Sequence, residues 1–172
     1  MAMISTDRPL TEAEVNALSM LALAHVGDGV YELLVREMLC RKGPSPMQEL
    51  HRKTVSYVRA EAQAKAARRL QPVLDEEETA VFRRGRNCHV HGIPAHANPG
   101  EYHSATGLEA LFGWLYLRGR TERIQELFAL AANEESEQLS NGIGCKDHTD
   151  AEGGVFRKTD RRANRKDTTA GK

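Results

Sequence analysis

The chain has 172 residues, with 24 Lys and Arg against 24 Asp and Glu, and a formal net charge of zero. That length suits one domain with a real apolar core plus a tail, and the neutral balance excludes the global basic surplus that usually marks a nucleic-acid binder, so phosphate contacts have to come from local patches. Cys40, Cys88 and Cys145 are odd in number and far apart, which argues against a disulfide framework and for a reducing, cytoplasmic compartment.

No stretch approaches the roughly 20 apolar residues of a membrane span. The first residues hold no apolar run of signal-peptide length. From Thr11 the chain reads T-E-A-E, a capping-box pattern. Val15, Leu18, Leu21, Ala22, Val26, Val30, Leu33 and Leu34 then recur at helical spacing, up to the stop signal Lys42-Gly43-Pro44. Ser45-Pro46 restarts a helix, with Ser as cap and Pro in the first position. It is expected to run through the Ala-rich segment 60–70 to Pro72. Asp75 and three Glu open the next helix, where acids oppose the dipole, and Arg83-Arg84-Gly85-Arg86-Asn87 ends it.

Residues 88–100, with two glycines, two prolines and three histidines, read as a loop. A helix follows from about Tyr102 to Leu117, closed by Gly119. The last helix is capped by Thr121, with Ile124, Leu127, Phe128 and Leu130 as its apolar face. Beyond about Glu137 the apolar pattern collapses. Residues 141–172 hold eight Lys and Arg against five Asp and Glu, too polar to offset ordering entropy. The expected organisation is therefore an all-α domain over 1–137 and a polar, disordered tail over 138–172.

Two acids stand out. Asp28 lies between Gly27 and Gly29 inside an apolar helix, where each glycine costs roughly 1 kcal/mol against alanine. Close approach of another helix would explain them and would bring a second acid beside Asp28. The competing reading is a surface Asp next to a packing glycine. Glu109 is alone in the apolar run Leu108 to Leu117, with Gly107 and Gly113 again permitting a close crossing. A buried Glu needs a metal or a partner, so the competing reading is a salt bridge to an Arg.

The motifs A-L-A-H-V-G-D-G-V-Y-E, Y-V-R-A-E-A-Q-A, R-R-G-R-N and A-T-G-L-E-A-L-F-G-W-L-Y-L occur in that order. Together they resemble Mini-ribonuclease III, the branch of the ribonuclease III family without a separate double-stranded-RNA-binding domain, over roughly residues 15–132. The resemblance implies an all-α homodimeric endoribonuclease that uses Mg²⁺, with Asp28 and Glu109 as catalytic and metal-binding residues. It implies processing of large-subunit (23S) ribosomal RNA precursor to 5′-phosphate and 3′-hydroxyl ends, with no membrane and no nucleotide cofactor involved. A catalytically inactive ribosome-assembly factor of the same fold is the alternative. Ala24 and Thr106 stand where longer ribonuclease III enzymes carry two further acids. Glu32 is a substitute ligand or, more simply, a salt-bridge or dimer residue. His25 stands at a place that is usually aromatic. Mg²⁺ prefers carboxylate oxygen and keeps several waters, which two acids can satisfy.

Arg83, Arg84, Arg86 and Asn87 are the leading RNA-binding residues, because Arg suits phosphate and duplex RNA is read by shape and backbone. Lys53, Arg59, Gln63 and Lys65 on the preceding helical segment are weaker candidates. The basic run 157–166 adds nonspecific affinity. Cys88, His89, His91, His96 and His103 fit no standard zinc spacing.

Overall fold

The computed structural model describes residues 8–88 and 98–133. Within them the secondary structure is helical, with no strand: α1 Glu12–Asn16, α2 Met20–Arg41, α3 Met47–Val58, α4 Ala60–Leu70, α5 Glu76–Arg86, α6 Pro99–Leu117 and α7 Thr121–Ala132. The tail 138–172 and the histidines at 89, 91 and 96 lie outside the described residues.

α6 runs through the centre. Ala105, Thr106, Gly107 and Leu108 are buried, and so is every residue from Ala110 to Leu115. A helix that is apolar all round must be enclosed, and α2, α4 and α5 enclose this one. α7 closes the base against α4 and α6. Tyr31 of α2 is pinned edge-on between Phe112 of α6 and Phe128 of α7, with ring centroids 5.3 and 5.6 Å away. Full burial of such a side chain contributes roughly 2 to 3 kcal/mol. Glu78, with no exposure, caps α5 through the Asp75 capping box. Arg123 of α7 donates to both its oxygens at 2.8 and 2.9 Å, tying α7 to the start of α5.

Two expected long helices are each broken. The first splits into α1 and α2 because Ser19, in extended backbone, caps α2 by accepting from the Ala22 amide. The second splits at Arg59, whose ψ of 148° ends α3 and begins α4. The expected caps Ser45 and Thr121 shift by one residue, to Pro46 and Arg120. α6 begins at Pro99 rather than Tyr102, because Asn98 accepts from the Gly100 amide and sets Pro99 in the first turn.

Candidate active site

α2 and α6 meet glycine on glycine. A Cβ built on Gly27 would overlap the Glu109 carbonyl oxygen and come within 2.6 Å of the Gly113 nitrogen. One built on Gly113 would overlap the Leu23 carbonyl oxygen and lie 2.9 Å from the Gly27 nitrogen. Backbone therefore touches backbone, which only glycine permits. Asp28 follows Gly27 on α2, and Glu109 is one turn before Gly113 on α6, so both acids arrive at the crossing.

The other two glycines of the expected crossing serve differently. Gly29 has open space where a Cβ would stand. Gly107 faces α5, where a Cβ would lie 2.9 Å from the Phe82 carbonyl oxygen. Gly85 of α5 reciprocates, its virtual Cβ 2.7 Å from Ala110 Cβ and 3.1 Å from Gly107 Cα. The basic end of α5 is thus seated against the stretch of α6 that carries Glu109.

The electrostatics reflect the juxtaposition. Burial pushes the Glu109 carboxyl up to about 7, the Asp28 charge adds to the rise, and a side-chain interaction with Gln63 opposes it. Asp28 opens to solvent, yet partial desolvation first and the Glu32 charge second raise its carboxyl too, with His25 opposing. An enclosed carboxyl raised by a neighbouring carboxylate is a place where a cation would relieve the repulsion. For the folded, metal-free protein the sign is fixed. Glu109 in an unfolded chain titrates near 4.5 and in the fold near 7. The fold is favoured below 4.5, loses that advantage as pH rises to 7, and is disfavoured by a constant amount above 7. A divalent cation held by Glu109 would show the opposite trend, its affinity falling about tenfold per pH unit below 7 as protons compete for the carboxylate. Metal titrations at pH 6 and pH 8 check this; equal affinities would contradict it.

The remaining candidates fall into three groups. Glu32 accepts from Arg36 at 2.5 and 3.0 Å within α2, Lys53 pairs with Glu49 at 3.0 Å, and Arg59 with Glu61 at 3.5 Å. Arg83, Arg84, Arg86 and Asn87 are exposed, and none of the three arginines forms an ion pair among the described residues. Gln63 and Thr106 are interior. Thr106 is 5 % exposed and donates to the Tyr102 carbonyl at 3.1 Å, as a helical hydroxyl does when it has no other task. Gln63 is 1 % exposed, which corrects its expected place on a solvated RNA-facing surface. The stripe Gln63, Ala67, Leu70 has the spacing of a buried helix face. That spacing is the available signal, and the polar residue heading it obscures it. Among the described residues no group of three His, Cys, Asp or Glu converges.

The ribonuclease III domain family matches residues 21–120. A Mini-ribonuclease 3 from Symbiobacterium thermophilum is 47 % identical over 116 residues, covering 67 % of this chain and 89 % of that protein. One from a Thermoanaerobacter species is 40 % identical over 131 residues, covering 76 % and 92 %. The crystal structure of protein FN1578 from Fusobacterium nucleatum aligns with a TM-score of 0.64 at 28 % identity, over 71 % of this chain and 98 % of that one.

Proposed function

Because this chain belongs to the ribonuclease III family, in its Mini-ribonuclease 3 branch, we propose that it is a Mg²⁺-dependent endoribonuclease that matures double-stranded stems of large-subunit (23S) ribosomal RNA precursor. The observation that carries the catalytic reading is the pair Asp28 and Glu109, brought into electrostatic contact where Gly27 and Gly113 cross. Asp28 and Glu109 would hold the ion, which supplies charge neutralisation at the phosphodiester and an activated water. The donor set suits it: hard oxygen ligands, few in number, leaving positions for water and phosphate. A scaffold without activity has no use for two mutually repelling carboxylates at a backbone contact, which disfavours the inactive alternative.

Arg83, Arg84, Arg86 and Asn87 would anchor the duplex. Their support is exposure, three cations free of acidic partners among the described residues, and a helix seated on Thr106, Gly107 and Ala110 beside the acids. Replacing Arg84 and Arg86 together by Ala should weaken duplex binding and reduce the slope of log affinity against log salt by about 1.8, at roughly 0.9 for each duplex phosphate no longer neutralised. Nitrocellulose-filter or anisotropy titrations at several salt concentrations measure it, and an unchanged slope removes this surface from the interface.

The enzyme acts as a homodimer in this reading, one site for each strand, since a two-fold protein matches the pseudo-two-fold of a duplex. The outer face of α2 supports self-association: Leu33 is 60 % exposed and Leu21 43 % exposed. Light scattering giving a monomer mass under assay conditions would refute that part. The function itself is tested by incubating the protein with Mg²⁺ and precursor large-subunit RNA. Cuts confined to base-paired stems and ends carrying 5′-phosphate are expected; failure to cut any duplex sinks the assignment.

A further inference from the structure

We propose that Gln63 is a positioning residue for Glu109, its side-chain amide holding the carboxylate in the orientation that receives the divalent cation. The inference rests on the Asp28–Glu109 metal site proposed above.

Gln63 belongs to α4, which packs on α6, and it is among the most completely buried side chains of the protein. Its companions on the buried face are Ala64, Ala67 and Leu70. In such surroundings an apolar side chain is the economical choice, because a buried amide that lacks a partner is destabilising. Yet the Gln63 Nε2 is buried and makes no normal hydrogen bond. The side chain it does interact with is that of Glu109. That interaction spans the packing of α4 on α6. It stops short of a well-formed hydrogen bond.

The rest of the site makes that amide matter. Ala24 and Thr106 occupy the places of two possible acids, and the Thr106 hydroxyl is spent on the Tyr102 carbonyl. No third His, Cys, Asp or Glu joins the pair among the described residues. Asp28 sits on an open helix surface, so Glu109 is the ligand whose direction the interior can set. Ligating carboxylates are generally steered by hydrogen bonds from behind, and loss of such a partner typically weakens metal binding about 10- to 100-fold. A buried, unsatisfied donor facing the more enclosed of two ligands is what that role requires. A polar residue kept where an apolar one would be more stable is retained for the site, not for the fold.

The test is Mn²⁺ binding, read by electron paramagnetic resonance, on the full chain and on Gln63→Leu, Gln63→Met and Asp28→Asn, with thermal melts of each. Wild type should bind, and Asp28→Asn should lose binding. Gln63→Leu and Gln63→Met should keep or raise the melting midpoint while weakening Mn²⁺ about 10- to 100-fold. Their duplex-cleavage deficit should shrink as Mn²⁺ is raised, which a packing defect would not do. Either variant folded with wild-type Mn²⁺ affinity overturns the proposal, and so does unfolding of both, which would make the amide structural. Absence of Mn²⁺ binding in wild type, or its persistence in Asp28→Asn, would strike the metal site itself and is distinguishable from failure at Gln63.

Discussion

Asp28→Asn should cut the rate of duplex cleavage about a thousandfold while leaving duplex binding and the fold in place. The change keeps the shape of the side chain and removes only its charge. A carboxylate that helps hold a catalytic ion carries several kcal/mol of transition-state stabilisation, and at about 1.4 kcal/mol per decade that is roughly 10³ in rate. No packing is disturbed, because Asp28 lies on the open surface of α2. Stability should hold or rise slightly, since Asn no longer repels Glu109 and Glu32. Binding should persist because Arg83, Arg84 and Arg86 are untouched. Glu109→Gln should give a similar loss, and the double variant little more, since residues acting on one ion are not additive. Single-turnover cleavage with excess enzyme separates the chemical step from binding. A loss of less than tenfold would remove Asp28 from the catalytic centre and reopen the inactive-scaffold reading.

The acids are legible because each breaks a local rule. Asp28 between two glycines and Glu109 alone among apolar residues both cost stability that only a tertiary contact could return. The contact is there, but it uses one glycine from each expected pair. Gly27 and Gly113 make the crossing; Gly107 receives Phe82 of α5, and Gly29 faces open space. Sequence spacing alone cannot say which glycine on a helix faces which neighbour. The helix breaks at Ser19 and Arg59 are hidden for a related reason. The apolar periodicity runs on across both, and the chain turns because a serine can cap and because Arg59 takes extended backbone. Gln63 is misplaced by any reading that weighs polarity above position. Its register with Ala67 and Leu70 points inward, and the amide follows the helix.

Gly27→Ala should damage the fold and the site together. One methyl group at this position would overlap the Glu109 carbonyl oxygen and press to 2.6 Å from the Gly113 nitrogen. Both obstacles are backbone, so neither can swing aside as a side chain would, and α2 must separate from α6 along their whole shared face. Overpacking of this kind typically costs 1 to 3 kcal/mol, and the upper end, about 3 kcal/mol, applies where the contact is rigid. The better helix propensity of Ala returns about 1 kcal/mol. The net loss, about 2 kcal/mol, should lower the melting midpoint by roughly 6 to 12 °C for a domain of this size. Separation of the helices also draws Asp28 away from Glu109, and a displacement near 1 Å can cost on the order of 100-fold in rate. Weakened Mn²⁺ binding should accompany it at a temperature where the variant is still folded. Gly29→Ala, two residues on, is the opposing control for the stability half. Nothing lies within 4 Å of its virtual Cβ, so the propensity gain stands alone and the midpoint should rise. If the two substitutions shift the midpoint in the same direction, the close crossing of α2 and α6 is not what fixes the position of the acids.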